Sequence, residues 1–284
     1  MNPAKLGAIT AASVVAVGGT GYGVFHWFSG EIVVVLSKTS NFDSTYSEDK
    51  HIGKRYGNYL VAPFGGVIEG SKSENRGWWK RAYERWSNDS SVTIDKSSSE
   101  FGKDNVKSGY KIEKEKGTND DKSLNKVCKS VYLKKQDDHL DPKANSTDNK
   151  HKLWNDLWKY CSVLEGIPEL LNATTDNTTF LKKEEFKHKA VAVTYANSKA
   201  TDRFWEIRND EFFGADGKNG LGHGISDSIF ATLYGKKSSR NENDTIKNIC
   251  KEAYEREISK AQEANKPKIK EEEIKKFCYL FPEK

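Results

Sequence analysis

The sequence is short of cysteine, with four in 284 residues. No two of them stand closer than Cys250 and Cys278, 28 positions apart. Structural zinc sites are built on C-x(2–4)-C knuckles, so this spacing excludes zinc. The chain also lacks an excess of charge of one sign. Its 46 basic and 41 acidic groups leave +5, and the two signs are mixed along the chain. Nucleic-acid binding needs a basic face, so no nucleic acid is expected as a partner.

Motifs for chemistry are missing as well. There is no H-E-x-x-H and no G-x-S-x-G elbow. The histidines, His26, His51, His139, His151, His188 and His223, are scattered. The glycine run 18–23 lacks the G-K-[ST] ending of a phosphate loop. Asp216 to Gly220 lacks the alternate carboxylates and closing Glu of a calcium loop. Asp137-Asp138-His139 reads as a solvated loop. Glu84, Glu206 and Asp210 lie near tryptophans, as carboxylates do in glycosidase clefts, but 41 acidic residues make such proximity ordinary. The expectation is no cofactor, no metal ion, no catalytic residue and no enzyme.

Long hydrophobic runs are scarce, with one exception. Charged residues are 31% and mean hydropathy is −0.78, yet Leu6 to Phe28 carries no charged side chain. These positions reach about 34 Å as a helix, enough for a hydrocarbon core of about 30 Å. Tyr22 and Trp27 lie toward the C-terminal end, where amphipathic rings favour the interface. The run is longer than the core of a cleaved signal peptide, and no small-residue site follows it. Leu6 and Phe28 are therefore the expected limits of a transmembrane anchor. Lys5 precedes the run and Glu31 follows it, which places a short N-terminus in the cytoplasm and the bulk outside.

The 13 Phe, 12 Tyr and 7 Trp argue against disorder. Trp79, Ala82, Tyr83 and Trp86 fall at i, i+3, i+4 and i+7, one face of a helix. Leu124, Val127, Cys128 and Val131 repeat that spacing, as do Trp154, Leu157, Trp158 and Cys161. Later come Ile246, Ile249, Cys250 and Ala253, then Ile274, Phe277, Cys278 and Phe281. Trp79, Tyr83, Trp86, Trp154, Trp158 and Trp205 are the candidate aromatic core.

The cysteine neighbourhoods repeat. Cys128 and Cys250 both sit in apolar-x-x-apolar-Cys-Lys-x-x-Tyr, 122 positions apart. Cys161 and Cys278 both sit in apolar-x-Lys-aromatic-Cys, 117 positions apart, and Trp79 and Trp205 are separated by 126. Three landmarks in one order at nearly one distance predict a tandem duplication. Two cysteines on the apolar stripes of two helices per unit predict the bridges Cys128–Cys161 and Cys250–Cys278, although four cysteines allow three pairings. An exterior location permits disulfides.

A short N-terminus, a Gly/Ala/Val anchor, the W-x(6)-W helix of Trp79 and Trp86, the K-x-C of Lys126 and Cys128, and the W-K-Y-C-S of Trp158 to Ser162 resemble a known family. They are similar to the large paralogous sets of uncharacterised, N-terminally anchored surface proteins of haemotropic mycoplasmas. The second unit departs from that pattern. The family carries no activity over. The resemblance implies an exposed, anchored protein of a variable antigen repertoire.

The expected architecture is mainly α. A transmembrane anchor (1–30) and a polar tether (31–58) lead into a first helical unit (59–171). A linker (172–189) and a second helical unit (190–284) follow, with long polar loops in both units. The expected function is a single-pass membrane surface protein for host interaction or antigenic display. Its partners would be the membrane and host-cell surface or host immune proteins. The alternative is a membrane-tethered extracytoplasmic hydrolase, a nuclease or peptidase.

Overall fold

Residues with helical apolar spacing fold as helices because each stripe finds an apolar surface to cover. A computed structural model describes residues 24–26, 32–68, 71–93, 96–114, 122–172, 178–214, 218–263 and 266–281. The first half carries strands β1 (Val24–His26) and β2 (Ile32–Val34), then helices α1 (Phe42–Thr45) and α2 (Ile52–Tyr56). A ribbon of β3 (Gly66–Ile68) and β4 (Ser71–Ser73) precedes α3 (Arg76–Ser87), α4 (Ser90–Thr93), α5 (Leu124–Tyr132), α6 (Gln136–His139) and α7 (Asn149–Cys161). The second half holds α8 (Lys199–Phe213), α9 (Ile229–Gly235), α10 (Ile246–Glu255) and α11 (Glu271–Phe277). The architecture is mainly α, and its sheets are two-stranded.

Side-chain caps fix several helix starts. Asp148 accepts the Lys150 amide ahead of α7, Ser198 the Thr201 amide in α8, Ser228 the Ala231 amide in α9, and Thr245 the Asn248 amide in α10. Each satisfies a donor that the first turn leaves without an intrahelical partner. Gly214, at φ 72°, closes α8 in a conformation that costs a side-chain residue more.

The helices pack around two short ladders of extended chain. In the first, the Leu36 amide donates to the Leu60 carbonyl (2.7 Å), Ala62 to Val34 (2.9 Å), Val61 to Cys161 (2.9 Å) and Val163 to Tyr59 (2.9 Å). In the second, Leu171 donates to Ala190 (2.8 Å), Ala192 to Glu169 (2.8 Å), Val191 to Cys278 (3.0 Å) and Leu280 to Lys189 (3.0 Å). The side chains around each ladder correspond too. The Tyr132 hydroxyl lies 3.0 Å from the Val61 carbonyl and 3.1 Å from that of Cys161, and the Tyr254 hydroxyl lies 3.2 Å from those of Val191 and Cys278. Trp79 Nε1 donates to the Ala62 carbonyl (3.2 Å) and Trp205 Nε1 to that of Ala192 (2.9 Å). Asn75 accepts the Val34 amide and Thr201 accepts the Glu169 amide, both at 2.8 Å. Cys128 is bonded to Cys161 and Cys250 to Cys278, each pair with Cα atoms 5.9 Å apart.

These ladders correct three sequence expectations. Residues 32–58 are no polar tether: Val33, Leu36, Tyr46, Ile52 and Tyr56 are buried, and β2 runs into the first ladder. Glu169 to Leu171, expected to close the first helical unit, belong to the second ladder. The described part of 172–189 is no free linker, since Phe180 and Phe186 are buried in the core. In each case single apolar residues among polar ones supply the core contact, and such residues carry no periodic signal.

The N-terminal expectation divides. Its limits, Leu6 and Phe28, lie outside the described residues. Val24–His26, placed inside the span by the sequence reading, is a strand instead. It pairs antiparallel with β2 through Val24↔Val34, Phe25↔Val33 and His26↔Ile32. Ile32 to Val35 is a β-branched run, and that preference for extended backbone gives the chain a strand to pair with. No helix among the described residues is long and apolar enough to cross a membrane.

Aromatic and ionic contacts join the two halves. The Phe281 ring lies 4.6 Å from that of Tyr56 and 5.6 Å from that of Trp158. Glu165 pairs with Arg85 of α3 (2.8 Å) and Arg203 of α8 (2.5 Å). Deeper in, Arg208 Nη2 donates to the Tyr59 hydroxyl (2.7 Å) and the Tyr279 carbonyl (3.1 Å), while Nη1 pairs with Glu211 (2.9 Å).

Candidate binding groove

Most residues singled out in the sequence fold into the interior. Trp79 and Trp158 are fully buried, and Trp86, Trp154 and Trp205 nearly so. Tyr83 is half-buried; its ring stacks on Trp86 at 5.4 Å and its hydroxyl donates to the Lys107 carbonyl. All four cysteines are buried in their bridges. The carboxylates noted near tryptophans do not gather as a set: Glu84 lies exposed on α3, whereas Glu206 and Asp210 sit on α8. Asp137 and Asp138 are exposed on α6. Asp216 lies outside the described residues. No three His, Cys, Asp or Glu gather as a metal site among the described residues.

A groove of about 380 Å³ opens between α8 and the start of α10. Its lining joins Asp202, Trp205, Glu206 and Asn209 of α8 to Tyr195 before it, and Thr245 and Lys247 at the head of α10. Asp202 and Glu206 are four residues apart, so the helical repeat sets both on one face. Asn209 accepts the Ile246 amide (3.2 Å) and so caps α10 from across the groove.

The polar groups of the wall are coupled. The Tyr195 hydroxyl donates to Asp202 (2.5 Å), and Lys247 Nζ donates to the Tyr195 oxygen (2.9 Å) while lying over its ring at 4.4 Å. Burial and the bond to Asp202 push the Tyr195 phenol above its usual value, so it stays a neutral donor. The Glu206 side chain makes no hydrogen bond or ion pair among the described residues. Desolvation raises its carboxyl, against the pull of Arg203, and the Asp202 charge adds to the rise. Farther along α8, burial pushes Asp210 up to about 6, against the pull of Arg240.

Chemically the groove offers an indole edge, a free carboxylate, a Tyr–Asp–Lys triplet and the first amides of a helix. Sequence reasoning noted Trp205 and Glu206 but missed Tyr195, Asp202, Asn209, Thr245 and Lys247. The signal was available in the repeat. Aligning the halves on Trp79/Trp205 and Cys128/Cys250 shows which positions of the second half face the same place.

The fold and groove define a disulfide-braced, mainly helical protein with an open polar groove on one helix pair. No protein-family model, curated protein or solved structure matches the chain.

Proposed function

We propose that the chain is a surface-displayed binding protein, with the helical part outside the cell and the N-terminal apolar run in the membrane. Two buried disulfides carry this reading. Bonds of this kind form and persist where thiols are not kept reduced, as outside the cytoplasm. Each bridge closes a segment within one half, 33 and 28 residues in separation. Removing Val24–His26 from the span leaves Leu6 to Gly23, and these 18 positions reach about 27 Å, within the range of a crossing helix. The recurring ladders, tyrosines, tryptophans and bridges support a duplicated unit, and the resemblance to anchored mycoplasma surface proteins supports display.

The hydrolase alternative draws on Asp202 and Glu206. Paired-carboxylate chemistry needs both groups available to substrate. Asp202 is already engaged by Tyr195, and this favours binding over hydrolysis.

The test is protease treatment of intact cells producing the full chain, followed by thiol labelling of the released fragments under non-reducing conditions. The expected result is cleavage of the helical part from outside, with all four cysteines unreactive until reductant is added. A helical part protected in intact cells and cut only after lysis, or free thiols at Cys128 or Cys250, overturns the proposal.

A further inference from the structure

The groove between α3 and the head of α5 is filled by the chain's own segment Lys107 to Lys111. The Ser108 carbonyl accepts the Leu124 amide (2.8 Å), and the Gly109 carbonyl accepts the Asn125 amide (3.3 Å). The Asn125 side chain closes on the Lys111 amide (3.1 Å) and carbonyl (2.8 Å), and Ser108 pairs with Ser123 as a parallel bridge. Gly109 sits so near α3 that a Cβ there would stand 2.7 Å from the Trp79 carbonyl oxygen and 3.0 Å from the Lys80 Cα. Only glycine permits that approach.

The same place in the second half is the open groove. Trp79, Lys80 and Tyr83 correspond to Trp205, Glu206 and Asn209, each 126 positions on, and Ser123 and Asn125 to Thr245 and Lys247, 122 positions on. Five of the residues that hold Lys107 to Lys111 therefore have counterparts among those lining the groove. No described segment lies in it. The Ile246 amide, counterpart of Leu124, falls back on the Asn209 side chain. The Lys247 amide, counterpart of the Asn125 amide that holds Gly109, has no hydrogen-bond partner among the described residues.

We propose that this groove docks an extended peptide segment of a partner protein, bound as Lys107 to Lys111 is bound in the first half. A partner carbonyl accepts the Lys247 amide. A glycine lies over the Trp205 carbonyl and Glu206. A basic side chain faces Glu206, the carboxylate that Tyr195 leaves unengaged. The charge preference follows from the counterparts: where the filled groove has Arg76 and Lys80, the open one has Asp202 and Glu206. The acidic wall selects a basic segment, and opposite charge adds specificity and on-rate. Strand-like recognition of this type takes affinity from main-chain bonds and selectivity from side-chain fit.

This deepens the binding reading by naming the class of partner. Its test in solution does not depend on where the protein resides, so either can fail alone. The probe is a fluorescent peptide of the chain's own residues 105–113, titrated into the intact, oxidised protein and followed by anisotropy. Saturable one-to-one binding is expected. Placing valine at the Gly109 position of the peptide should weaken it by roughly tenfold or more, as should E206K in the protein. Because the valine change is in the peptide, it leaves the protein's folding untouched. Hydrogen exchange should slow at Glu206 to Asn209 and Ile246 to Asn248. No saturation by about 1 mM, equal binding of the valine peptide, or protection confined elsewhere overturns the proposal.

Discussion

Tyr254 holds one hydroxyl proton between two carbonyls, Val191 and Cys278, at full burial. Phenylalanine in its place fills the same volume but strips both carbonyls of this donor. Leaving a buried group unsatisfied costs roughly 1–3 kcal/mol. We expect Y254F and Y132F each to lower unfolding free energy by that amount, by similar margins, in urea denaturation. A neutral Y254F would remove the hydroxyl as a fastener of the ladder. The sequence displayed these tyrosines, in Cys-Lys-x-x-Tyr, but not their task. Their acceptors lie 71 and 63 positions earlier in the chain and 29 and 24 positions later, and no local pattern spans those distances.

Asp156 shows what burial does to a single acid. It is 5% exposed and accepts the Ser98 amide (2.7 Å) and hydroxyl (2.9 Å). Burial nonetheless pushes it up to about 6, with those two bonds and Lys159 pulling it down. An acid whose folded value exceeds its unfolded one binds more protons when folded, so stability falls as pH rises through that window. Here the loss runs from pH ~4 to ~6 and amounts to roughly 3 kcal/mol. Asn at 156 keeps an oxygen for both Ser98 donors and cannot ionise. D156N should therefore raise Tm relative to the parent at about pH 7.5, and the gain should vanish below about pH 4. A gain that grows as pH falls would contradict the assigned cause.

At the scale of elements, the bridges tie α5 to the end of α7 and α10 to the residue after α11. Loop-closure estimates for separations of 33 and 28 residues are roughly 3–4 kcal/mol each. C128S/C161S and C250S/C278S should each lower stability by about that much. If each bridge acts on its own half, the two losses add within about 0.5 kcal/mol. Coupling well beyond that would mean the halves unfold as one body. The cysteine helices were legible in the sequence because their apolar positions recur with helical period over ten residues or so. The ladders were not. They are two or three residues long, and Val34 to Leu36 meets Leu60 to Ala62 across a polar stretch. The groove was illegible for a related reason: its lining comes from α8, from Tyr195 and from the head of α10, and no one of these segments is unusual alone.

For the whole molecule, a buried charge pair within α8 lies at the contact between halves. Arg208 is 2% exposed and Glu211 6%, and Arg208 also reaches across to Tyr59 of the first half. Burial raises the Glu211 carboxyl, while Arg208 and Lys38 oppose that rise. Two charges placed so deep stabilise one another only as a pair, and deleting one partner typically costs roughly 3–5 kcal/mol. R208M keeps much of the stem's packing but leaves Glu211 without its cation. The cost then depends on pH. With Arg208 gone the folded value of Glu211 rises further, so the variant is least impaired in acid and loses stability as pH rises through that value. R208M should thus fall further below the parent at about pH 8 than at about pH 5. Adding E211Q removes the stranded charge, so R208M/E211Q should flatten the pH dependence and recover part of the loss. Thermal melts of the three proteins across that range decide it. A double variant as weak as R208M at every pH would show that Arg208 acts through Tyr59 and the Tyr279 carbonyl, with its charge toward Glu211 immaterial.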